Sequence, residues 1–127
     1  MDAKILLVDD SSTTLLMEEM LFKKYTKYEI LTARDGAEAV QKALTEKPSL
    51  ILMDVVMPKM DGFEACRTMR RKDQLRDVPI ILVTSRGEPY NVETGFESGC
   101  NDYLTKPING RELLEMVNGY LAPQGAC

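Results

Sequence analysis

Histidine and tryptophan are both absent from the 127 residues. The missing imidazole removes the commonest general base and the commonest transition-metal ligand, and it excludes Ser-His-Asp catalysis and any phosphohistidine on this chain. Cysteine occurs only as Cys66, Cys100 and Cys127, with no CxxC pair. Neither a zinc site nor an activated thiol is expected, and an odd, widely spaced set suits a reducing cytoplasm. Apolar stretches such as Leu50 to Met53 and Pro79 to Val83 fall far short of the roughly 20 residues a membrane span requires. The opening residues lack the basic, apolar, small-residue order of a signal peptide. Sixteen basic residues face twenty acidic ones, for a formal charge of −4, and the only basic block is Arg70-Arg71-Lys72. Nucleic acid is therefore not expected as a direct partner.

What is present, 44% hydrophobic and 28% charged residues, is enough for one self-sufficient core. The expected division is one domain over 1–122 and a short flexible tail over 123–127. Runs rich in Ile, Leu and Val recur at Lys4 to Val8, Glu29 to Ala33, Leu50 to Met53, Pro79 to Val83 and Asp102 to Leu104, which predicts five strands. Between them lie apolar residues at helical spacing: Val40, Ala43 and Leu44; Phe63, Cys66 and Met69; Leu114, Val117 and Leu121. Three capping-box segments, Asp35 to Glu38, Asp61 to Glu64 and Asn109 to Glu112, open helices two, three and five. Helix four is predicted to start near Glu88-Pro89 and to end at Gly99. Strict alternation of strand and helix implies right-handed crossovers and a doubly wound α/β domain with a five-stranded parallel sheet, commonly ordered 2-1-3-4-5.

That order sets strands one and three side by side and places the functional crevice at their carboxyl ends. Asp9 and Asp10 follow strand one and Asp54 follows strand three, so three carboxylates converge there. Like charges at such range raise one another's pKa unless a cation lies among them. A divalent metal and Lys106, two residues past strand five, are both candidates, alone or together. An all-oxygen set of few carboxylates suits Mg2+, whereas zinc or copper would want ligands this chain lacks. Thr84 ends the fourth run, where its hydroxyl is available to an anionic oxygen.

The spaced set Val8-Asp9-Asp10-Ser11, Met53-Asp54 with Met57-Pro58 and Met60-Asp61-Gly62, Val83-Thr84-Ser85, and Asp102-Tyr103 with Lys106-Pro107 resembles a response-regulator receiver domain of two-component signalling, along essentially the whole chain. The resemblance implies the flavodoxin-like (βα)5 receiver fold and makes Asp54 the phosphoacceptor. Asp9, Asp10, Asp54 and the main-chain carbonyl of Val56 would hold Mg2+, while Thr84, the backbone of Ser85 and Lys106 would contact the phosphoryl group. Thr84 and Tyr103 would form the switch, read out on helix four, strand five and helix five, and Lys106-Pro107 is a cis-peptide candidate. The implied partners are a sensor histidine kinase or histidine phosphotransfer protein as donor and a downstream protein target. Such a protein is a phosphoacceptor regulator and not an enzyme, with at most slow self-dephosphorylation, and Val56 and Arg86 occupy positions that influence its lifetime. With only a short tail after helix five, output is expected through protein contact, as in stand-alone regulators of chemotaxis, motility or phosphorelays.

Other readings fit less well. A dehalogenase-like phosphatase usually needs Asp-x-Asp, and Val56 stands where its second acid would be. A flavodoxin-like electron carrier is disfavoured by the acid pair ahead of Ser11-Ser-Thr-Thr14. A phosphorylation-independent receiver-fold binding module would generally have lost an acid or the lysine. Helix one is more apolar than a single stripe of roughly 100° needs; its core line is expected through Met17 and Leu21, leaving Leu16 and Met20 exposed.

Overall fold

A computed structural model describes residues 3–85 and 89–121. Strands and helices alternate as β1 (Lys4–Val8), α1 (Ser12–Tyr25), β2 (Glu29–Ala33), α2 (Gly36–Glu46), β3 (Leu50–Asp54), α3 (Gly62–Arg70), β4 (Ile80–Ser85), α4 (Pro89–Ser98), β5 (Asp102–Lys106) and α5 (Gly110–Leu121), with a 3-10 turn at Asp73–Leu75. All strand pairings are parallel, in the order β2-β1-β3-β4-β5. Arg86 and the tail Pro123 to Cys127 lie outside the described residues, as does Glu88 at the expected start of helix four.

Period-two geometry divides the core. Leu6, Val8, Ile51, Met53, Ile80 and Leu82 point toward Ala39 and Ala43 of α2 and Ala65, Cys66 and Met69 of α3. Ile5, Leu7, Leu50, Leu52, Ile81, Val83 and Leu104 point toward Leu15 and Phe22 of α1 and Leu113 and Val117 of α5. Because both faces are covered, β1 and β3 are apolar at successive positions.

Local chemistry sets where the helices start. Ser11, Asp35, Asp61 and Asn109 each accept from the backbone N–H three residues on, at 2.8–3.2 Å. Ser11 caps α1, which leaves Asp10 free of that duty. The Glu38 side chain reaches back one residue further than a capping box requires, accepting from the Arg34 N–H at 2.8 Å. Gly99, with φ of +106°, closes α4 in the left-handed region that favours glycine.

Helix one differs from expectation. Leu16 and Met20 are exposed, but so is Met17, at 67%; the buried line is Leu15, Glu18 and Phe22. Those positions fall at i, i+3 and i+7 on one helical face, and an acid occupies its middle. An apolar count alone cannot see that register. In α5, Leu113 and Val117 are fully buried while Leu114 and Leu121 pack at the margin.

Candidate functional site

Strand parity assembles the site. Asp9 continues the series Ile5, Leu7; Asp54 continues Leu50, Leu52; Lys106 continues Leu104; all three emerge on the sheet face that carries α1 and α5. Lys106 donates to Asp54 Oδ2 at 3.2 Å and to Asp9 Oδ2 at 3.4 Å. The second oxygen of Asp9 accepts from the Ser11 N–H at 2.9 Å. Asp9 and Asp54 are only 2% and 5% exposed, whereas Asp10 is exposed. Carboxylate oxygens of Asp9, Asp10 and Asp54 all lie within 4.8 Å of one another.

Electrostatics follows from this packing. Burial raises the Asp54 pKa, and the Asp9 charge raises it further; the Lys106 ammonium and the Val56 N–H, which donates to the carboxylate, pull it back. Burial works against the Lys106 charge, but the Asp54 and Asp9 carboxylates hold its pKa above the ordinary value. One ammonium thus faces three acids whose oxygens are within reach of a single ion. An all-oxygen donor set without histidine or cysteine fits a hard cation such as Mg2+.

Thr84 ends its series on the opposite parity, with Leu82, and the register Leu82↔Tyr103 and Thr84↔Thr105 sets Tyr103 on that same face. The Thr84 hydroxyl is buried without a hydrogen-bond partner among the described residues. Tyr103 is half-buried and meets Phe96 of α4 edge-on, with centroids 6.0 Å apart at 86°. Ser85 closes β4 in register with Lys106. The Lys106-Pro107 peptide is cis. Val56 is 70% exposed, on the loop just after Asp54.

That loop is held from below. It turns through Lys59 at φ 70°, and the Gly62 N–H donates to the Val55 carbonyl at 2.8 Å. A Cβ at Gly62 would stand 2.5 Å from the Asp54 carbonyl oxygen and 2.8 Å from Val55 Cα. Close approach, beyond the helix start, is thus what glycine provides here. Gly62→Ala is expected to destabilise the protein by about 2 kcal/mol, in the range of overpacked cores; a thermal melt matching the parent would contradict this packing.

Two residues at the site went unnoticed in the sequence. Arg34 donates from its guanidinium to the Asp10 carbonyl at 3.0 Å, fixing the loop that carries Asp9 and Asp10. Its signal was the register Val8↔Ala33, visible only once strand order is known. Glu18 is the other, a buried carboxyl whose pKa burial and the Asp9 charge push up to about 8. Its signal was an acid placed between Leu15 and Phe22.

A doubly wound sheet that gathers an acid triad and a lysine at its carboxyl ends is the architecture of receiver domains. The response regulator receiver domain family matches residues 5–118, and the chain belongs to that family. It is 37% identical over 120 residues to protein PilH of Pseudomonas aeruginosa, covering 94% of this chain and 98% of that one. It is 39% identical over 121 residues to the alkaline phosphatase synthesis transcriptional regulatory protein PhoP of Bacillus subtilis, covering 95% of this chain but only 49% of that protein. The chain therefore spans about half the length of that relative. Among solved structures, chemotaxis response regulator CheY4 of Vibrio cholerae superimposes with a TM-score of 0.88 at 35% identity, over 95% of this chain and all of that one. The receiver domain of a Pseudomonas aeruginosa sensor histidine kinase, solved with magnesium coordinated in its active-site cleft, gives 0.87 at 32%, over 94% of this chain and 98% of that one. Receiver domains are mostly regulators that accept phosphoryl groups from histidine kinases; aspartate phosphorylation and Mg2+ binding are typical of the family. Among the described residues no helix is long and apolar enough to cross a membrane.

Proposed function

We propose that Asp54 is the phosphoacceptor of a cytoplasmic signalling switch, charged by a phosphohistidine on a kinase or phosphotransfer partner. The observation that carries this reading is the bridging of Lys106 Nζ between the buried carboxylates of Asp54 and Asp9. In the transfer, an Asp54 oxygen forms a bond to phosphorus as the phosphorus–nitrogen bond to the partner's imidazole breaks, leaving an acyl phosphate here and a free imidazole there. Both reactants are anionic, so the barrier is largely electrostatic. Lys106 is preorganised to offset part of that charge. Asp9, Asp10, Asp54 and the Val56 carbonyl would hold Mg2+, which when bound supplies further charge neutralisation and orients phosphoryl oxygens. The Ser85 backbone N–H and the Thr84 hydroxyl are the remaining donors at the strand ends.

Thr84 is the natural link from chemistry to surface, because its buried hydroxyl has no partner among the described residues and is free to take phosphoryl oxygens when they arrive. Its movement toward them opens space on the face it shares with Tyr103, whose ring then exchanges its edge contact with Phe96 for an inward position. Phosphorylation in this way biases an existing packing equilibrium and changes the surface of α4, β5 and α5 that a protein target reads. Val56 brings no polar side chain to orient hydrolytic water, in keeping with slow self-dephosphorylation.

The test is intact-mass measurement after incubation with acetyl phosphate and Mg2+. The parent should gain one phosphoryl group and Asp54→Asn none; an unmodified parent would instead favour a phosphorylation-independent binding module. A second expectation concerns coupling. Thr84→Val removes an unsatisfied hydroxyl and should leave the unphosphorylated protein as stable as the parent or more so, by up to about 1 kcal/mol. The variant should still accept phosphate on Asp54, yet lose the phosphorylation-dependent change in the NMR signals of the Tyr103 ring. Persistence of that change would remove Thr84 from the switch.

A further inference from the structure

Between α1 and the β5–α5 connection lies a cleft of about 650 Å3, walled by Met17, Leu21, Pro107, Ile108 and Leu113 and reached by the side chains of Glu18 and Lys106. Its size and its mixture of apolar walls with few polar groups are those of small-molecule sites. Glu18 is the feature that core packing does not account for. It is 7% exposed and occupies the middle of the line that buries Leu15 and Phe22. It forms no hydrogen bond or ion pair with any described residue. Its carboxyl oxygens are not sealed off, because Glu18 lines the cleft and Thr84 Oγ1 alone is a buried, unpartnered side-chain atom among the described residues, so they are open to a donor that enters the cleft. The surrounding charge selects the sign of the donor. Asp9 and Asp54 stand against one ammonium, Lys106, which they already share, and Glu18, largely protonated at neutral pH, adds a negative charge when an entering cation displaces its proton. Anions are thus repelled. A hard divalent ion finds three acids at the neighbouring triad and a single carboxyl in the cleft, so the cleft suits an organic monocation.

We propose that this cleft binds a small monocationic ligand with an apolar body, an arylalkylamine in chemical class, whose ammonium pairs with Glu18 while its ring lies against Met17, Leu21 and Ile108. The cleft is separate from the acid triad, and its occupancy does not depend on phosphoryl transfer. Because Lys106 lines the cleft and also holds Asp54, a bound ligand stands one side chain away from the phosphorylation site.

The experiment is a titration of the 15N-labelled full chain with 2-phenylethylamine, in excess Mg2+ so that the acid triad is taken. Saturable amide shifts should be confined to residues 14–21 and 106–113. The neutral isostere 2-phenylethanol should bind about tenfold more weakly, and the anion phenylacetate more weakly still. Glu18→Gln should lower amine affinity by about tenfold or more. Met17→Lys, at an exposed position where a new ammonium competes for Glu18, should abolish saturation without disturbing the core. Absence of saturation up to about 10 mM, equal binding of amine and phenylacetate, unchanged affinity in Glu18→Gln, or shifts centred on Asp9, Asp10 and Asp54 would each overturn the proposal.

Discussion

Lys106→Met is expected to slow phosphoryl uptake from acetyl phosphate by about 10²- to 10³-fold at saturating Mg2+, the loss typical of removing one preorganised charge-stabilising donor. Methionine retains the apolar stem and deletes only the ammonium. That ammonium sits 3.2 Å from Asp54 and 3.4 Å from Asp9, and both acids are buried residues, so water screens the charges weakly. The same deletion leaves the two acids unopposed, so the metal-free variant should melt below the parent and recover when Mg2+ is added. Uptake followed by intact mass supplies the rate, and thermal melts with and without Mg2+ supply the second readout. A rate within threefold of the parent, by the order-of-magnitude standard above, would mean that Lys106 serves structure alone.

The acids of the triad should separate stability from metal binding. Asp10 is exposed, its side chain caps nothing, and Ser11 takes the helix. Asp10→Ala should therefore change metal-free stability by no more than about 0.5 kcal/mol, while Mg2+ affinity falls by about 100-fold, at the upper end of what altering a metal's surroundings costs. Asp9 behaves differently, because one of its oxygens holds the Ser11 N–H and the other Lys106. Asp9→Ala should lose both metal and stability. Isothermal titration with Mg2+ alongside thermal melts distinguishes the two; an Asp10→Ala variant that binds Mg2+ like the parent would remove Asp10 from the metal site.

Much of this arrangement was legible in the chain because strand ends are marked by chemistry. Apolar runs that stop at Asp9, Asp54, Thr84 and just before Lys106 identify both the strands and the edge of the sheet where their polar residues collect. The strand order and the helix caps agree with that reading. Strand limits shifted slightly: Asp54, Thr84 and Lys106 fall within the strands, since ladder pairing continues past the last apolar residue.

What escaped the sequence was governed by tertiary register. Six large apolar residues on helix one pointed to a core line through Met17 and Leu21, and only docking against the sheet and α5 decides for Leu15 and Phe22. Glu18 was hidden for the same reason, because an acid beside Glu19 reads as a solvated helix face. Gly62 had an adequate local explanation as the start of a helix; its closeness to the Asp54 carbonyl depends on where α3 sits against β3. Arg34 needed β2 beside β1 before its reach to Asp10 had meaning. Arg70 is similar: its guanidinium joins Gly99, Leu75, Val78 and Asn101 through hydrogen bonds of 2.7–2.8 Å, although in sequence it belongs to a basic run.

Reductive trapping identifies the acid that carries the phosphoryl group, proposed here as Asp54. The protein is charged with acetyl phosphate and Mg2+, its acyl phosphate is reduced with borohydride, and the modified position is read by peptide mass spectrometry. A single reduced aspartate is expected, at position 54. A modification at Asp9, Asp10 or any other acid, with Asp54 intact, would contradict it.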